Sequence, residues 1–138
     1  MDRTRSRLAK LLATAGAVAV VGVTAAPAQA SEVELHARMH PTAAYPSARG
    51  SASYEADHEG TEFELHLAGI GKLAGKRVTV RVHGSFVGRM RVTAAGTASL
   101  HRRGGPTCGR GDAVRVRTGA GTLVSSGRFV SEHEDHQT

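Results

Sequence analysis

The chain has no tryptophan, one cysteine and four prolines, and only 4% of its 138 residues are aromatic. A single cysteine, Cys108, excludes an internal disulfide, so a domain built from this chain must stand on its hydrophobic core. Five aromatic side chains, none interleaved with the arginines of the basic segments, speak against base stacking, and no nucleic-acid partner is expected. No stretch combines the length and apolarity of a spanning helix. Complete catalytic and cofactor signatures are also missing. Gly69, Gly71 and Gly75 have the wrong spacing for a dinucleotide loop, and Ser85 is off-centre in Gly84-Ser85-Phe86-Val87-Gly88 for a nucleophile elbow. The expectation is a non-enzymatic protein with no cofactor.

The first thirty residues carry a pattern of their own. Arg3, Arg5, Arg7 and Lys10 precede an uncharged run from Leu11 to Ala26, and Ala28-Gln29-Ala30 offers a small-residue cleavage site. The uncharged run of 16 residues, rich in alanine and glycine, falls short of the roughly 20 apolar residues that span a bilayer. It predicts a secretory signal helix over residues 1–30, a secreted or cell-wall-associated product, and no membrane span after processing. The segment from Ser31 onward keeps 14 Lys and Arg against 11 Asp and Glu, so about half of the formal charge of +6 belongs to the leader. The remaining charge is segregated. Residues 31–64 hold seven acids against Arg38 and Arg49, residues 65–131 hold twelve bases against Asp112 alone, and the tail 132–138 is acidic.

Beyond the leader, hydrophobic residues alternate with period two. Val33 to Met39, Ala52 to Ala56, Phe63 to Leu67, Val78 to Val82, Gly88 to Val92, Ala98 to Leu100, Val114 to Val116 and Leu123 to Val130 read as eight strands separated by short glycine-bearing turns. The fold class expected is all-β, a single antiparallel β-sandwich or small barrel of about eight strands over residues 31–131, followed by an acidic, histidine-bearing disordered tail at 132–138. Phe63, Leu65, Val80, Val82, Met90, Leu100, Val116 and Phe129 are the expected core.

Turn chemistry suggests a register. Ala94-Ala95-Gly96 between Thr93 and Thr97 sets Val92 against Ala98 and Met90 against Leu100. A three-residue loop Gly84-Ser85-Phe86 sets Val80 against Met90 and Val78 against Val92. Direct pairing across Ala68–Lys76 would place Phe63 opposite Val82, Leu65 opposite Val80 and Glu64 opposite Arg81, with a Greek-key crossover as the alternative. A bulge is expected near Ser125-Ser126-Gly127.

The frame Gly50-Ser51-Ala52-Ser53-Tyr54-Glu55, Phe63-Glu64-Leu65, Leu73-Ala74-Gly75-Lys76, the Val78-Val80-Val82 strand, Val87-Gly88, Gly96-Thr97-Ala98-Ser99-Leu100, Gly111-Asp112-Ala113-Val114 and Ser126-Gly127-Arg128-Phe129 resembles small secreted actinobacterial β-sandwich proteins of uncharacterised function. The resemblance implies a fold and an extracellular compartment and carries no functional residues.

Three features invite chemistry. Arg77, Arg81, Arg89 and Arg91 should point outward on adjacent strands, and Arg102, Arg103 and Arg110 should crown the glycine-rich segment 101–112. Forked guanidinium donors suit phosphate or carboxylate polymers of a cell envelope, so Arg81, Arg89, Arg102, Arg103 and Arg110 are the candidate anion-binding residues. Cys108 is a candidate free thiol, its thiolate favoured by the nearby arginines. The product is then a monomer or a Cys108-linked dimer, with an anionic polymer or another protein as partner. The alternative function is metal binding or redox sensing through surface histidines or Cys108. His36 and His40 lie four strand residues apart, about 13 Å, too far to share an ion, and no metal site is assigned. Arg110-Gly111-Asp112 spells a tripeptide read by integrins, but a turn leading into a strand accounts for it.

Overall fold

The computed structural model describes residues 32–131. The expected leader and the acidic tail lie outside the described residues. The eight anticipated strands all form: β1 (Val33–Pro41), β2 (Arg49–Asp57), β3 (Gly60–Ala68), β4 (Arg77–Val82), β5 (Ser85–Arg91), β6 (Ala98–Arg103), β7 (Ala113–Thr118) and β8 (Leu123–Arg128). A two-residue β9 (Val130–Ser131) adds to β1. They make one antiparallel sheet in the order β5-β4-β7-β8-β1-β2-β3-β6, curled so that its two edge strands β5 and β6 lie side by side and nearly close a barrel. Among the described residues no helix is long and apolar enough to cross a membrane.

Alternation decides which face is inside. Phe63, Leu65 and Leu67 on β3, Val78, Val80 and Val82 on β4, and Val114 and Val116 on β7 are buried, while the residues between them face outward. Seven of the eight expected core residues are buried, and Leu100 is partly buried against them.

Strand order departs from nearest-neighbour pairing. β3 does not meet β4: it pairs with β2 and β6, setting Leu65 between Ala52 and Leu100 and Glu64 opposite His101. The expected facing of Phe63 with Val82, Leu65 with Val80 and Glu64 with Arg81 is therefore replaced by the crossover. Its physical reason lies in the connection, where Ile70 precedes and Leu73 ends a single 3-10 turn (Gly71–Leu73) and both are buried. A hairpin loop would leave those two side chains in water.

The turn at Thr93–Thr97 forms as its sequence suggests, with the Thr93 N–H donating to the Thr97 carbonyl at 2.8 Å. The strands it joins nevertheless diverge. The Val92 N–H donates to the Lys76 carbonyl, Met90 pairs with Val78, and Leu100 pairs with Leu65, so the expected Val92–Ala98 and Met90–Leu100 pairs do not occur.

Between β4 and β5 the loop is shorter than expected. Val82 faces Ser85 across a two-residue turn, His83-Gly84, in which both residues have positive φ (49° and 82°). That turn geometry matches the twist of a hairpin. A bulge then lets Arg81 face Phe86 while Val80 faces Gly88 and Val78 faces Met90, which keeps Val87 and Met90 inside despite the short turn. A second bulge, where Val116 faces Ser125 and Arg117 faces Leu123, lies close to the one anticipated in β8.

The gap between β5 and β6 is closed by side chains. Leu100 fills the space beside Gly88, where an added Cβ would come within 3.0 Å of its methyl carbons. Arg102 Nη1 donates to the Val87 carbonyl at 2.7 Å, satisfying an edge acceptor. Inside, Phe129 packs against Tyr54 and Phe63 with ring centroids 6.2 and 6.3 Å apart. The Tyr54 hydroxyl is buried and finds no hydrogen-bond partner among the described residues. Tyr54→Phe should therefore raise the unfolding free energy by about 1 kcal/mol, since burying a lone hydroxyl is unfavourable. An unchanged or lower urea midpoint would show that the hydroxyl is satisfied in solution.

Candidate functional site

β4, β5 and β7 carry an arginine wall on their outer surface. The register sets Arg77 opposite Arg91, Arg81 opposite Arg115, and Thr79 between Arg89 and Arg117. Like charges directly opposite one another disfavour a sheet. Among the described residues no carboxylate lies within 4 Å of any of these six guanidinium groups. Several are anchored instead on backbone: Arg81 Nη1 donates to the Gly84 carbonyl at 3.3 Å, Arg91 Nη1 to Gly75 at 3.0 Å and Arg117 Nη1 to Gly121 at 3.0 Å. Each anchor uses one N–H of a five-donor fork and leaves the others outward. Contrary to the expectation that no aromatic side chain is interleaved with the arginines, Phe86, 41% exposed, sits between Arg81 and Arg89, whose guanidinium carbons lie 5.8 and 5.6 Å from its ring centre. A hollow of about 220 Å³ opens between Thr79, Arg81, Arg115, Arg117 and Thr118.

The loop arginines are not drawn into one crown. β6 runs on to Arg103, so Arg102 and Arg103 leave opposite sides of the strand: Arg102 is half-buried on the Val87 carbonyl, and Arg103 faces outward with Nη2 3.9 Å from Glu62 Oε1. Arg110 is exposed in the following turn. The turn itself is tied down. Asp112 Oδ2 accepts from the Gly109 N–H at 2.7 Å, the Gly111 N–H donates to the Phe129 carbonyl at 2.8 Å, and Arg128 Nη1 donates to the Gly111 carbonyl at 2.8 Å. The Arg110-Gly111-Asp112 carboxylate thus points at its own backbone, as a turn requires.

Cys108 overturns the thiolate expectation. It is 5% exposed and belongs to the core, and burial, aided by the negative charge of Asp112, pushes its thiol up to about 11. Burial and Asp112, rather than the arginines nearby in sequence, set the direction of its shift. The thiol is free but withdrawn from the surface through which a Cys108-linked dimer would form.

The outer surface of β1, β2, β3 and β6 is different in character. Glu34, Glu55 and Glu62 stand directly opposite one another across three strands, with Arg103 next in the row. In the neighbouring row Glu64 faces His101, and His101 Nε2 lies 2.5 Å from Glu62 Oε2. One carboxylate oxygen each from Glu62 and Glu64 and one imidazole nitrogen of His101 all lie within 4.8 Å of one another. Beyond them His66 Nδ1 meets Ser99 Oγ at 3.0 Å. Sequence reasoning missed this grouping. The Glu62-x-Glu64 spacing was a usable signal, since alternation puts both on one face, but pairing β3 with β4 instead of β6 hid His101. His36 is half-buried and His40 exposed on β1, and neither joins the grouping. No protein-family model matches the chain, and no curated protein matches it in sequence.

Proposed function

We propose that the protein is an exported, non-enzymatic barrel-like module that holds an anionic envelope polymer on the arginine wall of β4, β5 and β7. The observation that carries this reading is the hollow framed by Arg81, Arg115 and Arg117, flanked by Arg77, Arg89 and Arg91 with no carboxylate within 4 Å among the described residues. An array of opposed guanidinium groups is self-repelling, and a repeating phosphate or carboxylate ligand relieves that repulsion while meeting forked donors. Backbone anchoring of Arg81 and Arg117 reduces the rotamer entropy lost when an anion is held. Exposed Phe86 offers an apolar surface beside the charges for the carbon skeleton of the polymer.

The test uses inorganic polyphosphate and polyglutamate as probes at low salt. The full chain should bind at least one of them, and affinity should fall steeply between about 50 and 300 mM salt as charges are screened. Changing Arg81, Arg115 and Arg117 together to Ser should weaken binding about tenfold or more with the melting temperature kept. Equal binding by the triple variant and the parent would overturn the proposal.

A further inference from the structure

The geometry points to a second site, for a divalent transition-metal ion of the zinc class, built from Glu62 and Glu64 of β3 and His101 of β6. It goes beyond the anion-binding reading and does not depend on it. Three donors of two chemical kinds come from two hydrogen-bonded strands: Glu62 and Glu64 share a face by alternation, and the β3–β6 register places His101 opposite Glu64. An imidazole with two carboxylates is a ligand set that zinc accepts, leaving a fourth position to solvent. Calcium, which takes six to eight oxygen ligands, is poorly served by it.

The distances allow closure. Donors at about 2.0–2.1 Å from a tetrahedral ion stand about 3.3 Å from one another. The His101–Glu62 pair at 2.5 Å must open slightly, and Glu64, within 4.8 Å, must move in by about 1.5 Å at most. Both shifts lie within side-chain rotation on an exposed face.

Charge around the grouping favours a cation. Glu55 stands directly opposite Glu62, Glu34 directly opposite Glu55, and a cleft beside Glu62 is lined by Glu55, Asp57 and Glu59 as well. Carboxylates set opposite one another repel, and an ion at Glu62 and Glu64 relieves part of that repulsion. Arg103 is the built-in competitor, 3.9 Å from Glu62 Oε1, while the imidazole meets the other oxygen.

The experiment is calorimetric titration of the full chain with Zn²⁺ and, separately, with Ca²⁺. One Zn²⁺ per chain should bind, with Ca²⁺ producing no comparable heat. His101→Gln and Glu64→Gln should each weaken Zn²⁺ binding about tenfold or more, by the scale on which metal sites respond to lost partners. Arg103→Ser should strengthen it. A variant with His133 and His136 both changed to Ala should bind as the parent does, which separates this site from the acidic tail. The Arg81, Arg115 and Arg117 triple variant should also bind Zn²⁺ normally, so failure of the polymer reading and failure of this one are distinguishable. Unchanged affinity in His101→Gln, loss of binding in the tail variant, or Ca²⁺ binding as tightly as Zn²⁺ would each overturn the site.

Discussion

Leu65→Ala should lower the unfolding free energy by about 2–5 kcal/mol, the range for truncating a fully buried leucine. Leu65 is 0% exposed and lies in register between Ala52 of β2 and Leu100 of β6. Its loss empties the inner face where the end strand is attached. β6 is laddered on one side only, to β3, and its other edge is held to β5 by the Leu100 packing beside Gly88 and the Arg102–Val87 hydrogen bond. Alanine is too small to support Leu100 from β3, so the contacts between β6 and β5 weaken together with the core. No disulfide offsets the loss, and a domain of this size has only about 5–15 kcal/mol to lose. The midpoint of urea unfolding measures the change. A loss below about 0.5 kcal/mol would mean that neighbouring side chains refill the space and that Leu65 does not anchor β6.

Much of the local structure was legible, because alternation and turn residues act within a few positions of chain. Val78, Val80 and Val82 announce an inward face wherever their strand ends up, and Ala94-Ala95-Gly96 announces a turn whatever its flanking strands go on to pair with. Strand order was not legible in that way. Pairing partners are chosen by burial summed over the whole sheet, and the signal of the crossover was the apolar pair Ile70 and Leu73 inside a segment too long for a hairpin. The turn His83-Gly84, one residue shorter than the expected loop, moves Val80 off Met90, and the bulge then sets it opposite Gly88; a bulge adds one residue to one strand without changing composition and leaves little trace in the sequence.

The candidate sites divide along the same line. The outward facing of Arg77, Arg81, Arg89 and Arg91 follows from alternation within β4 and β5 and was visible residue by residue, whereas Arg115 and Arg117 join the wall only through the pairing of β7 with β4. The loop arginines were misplaced because the segment from His101 was read as irregular; continuing the period of Ala98 and Leu100 by one step already puts Arg102 on the inner face, where it is half-buried. The grouping of Glu62, Glu64 and His101 needs a contact between residues 39 positions apart, and only the β3–β6 ladder supplies it.

Gly50→Ala, on the inner side of β2, is expected to be strongly destabilising. Gly50 pairs with Met39 on one side and Leu67 on the other, and an added Cβ would lie 1.9 Å from the His66 carbonyl oxygen. The obstacle is backbone, held in the β2–β3 ladder, so no side-chain rotation relieves it. Glycine in a strand allows another backbone this close approach. A methyl group would force β2 and β3 apart, disturbing the ladder that carries Tyr54 against Phe63 and the adjoining row of Glu55 and Glu62. The expected loss is about 3 kcal/mol, at the upper end for overpacking. Gly119→Ala provides the control, since its added Cβ meets nothing within 4 Å and the change should stay within about 0.5 kcal/mol. Urea unfolding of the two variants side by side separates strain at a close approach from the general effect of replacing glycine. Equal midpoints for Gly50→Ala and Gly119→Ala would show that β2 and β3 stand further apart at His66 than the ladder requires.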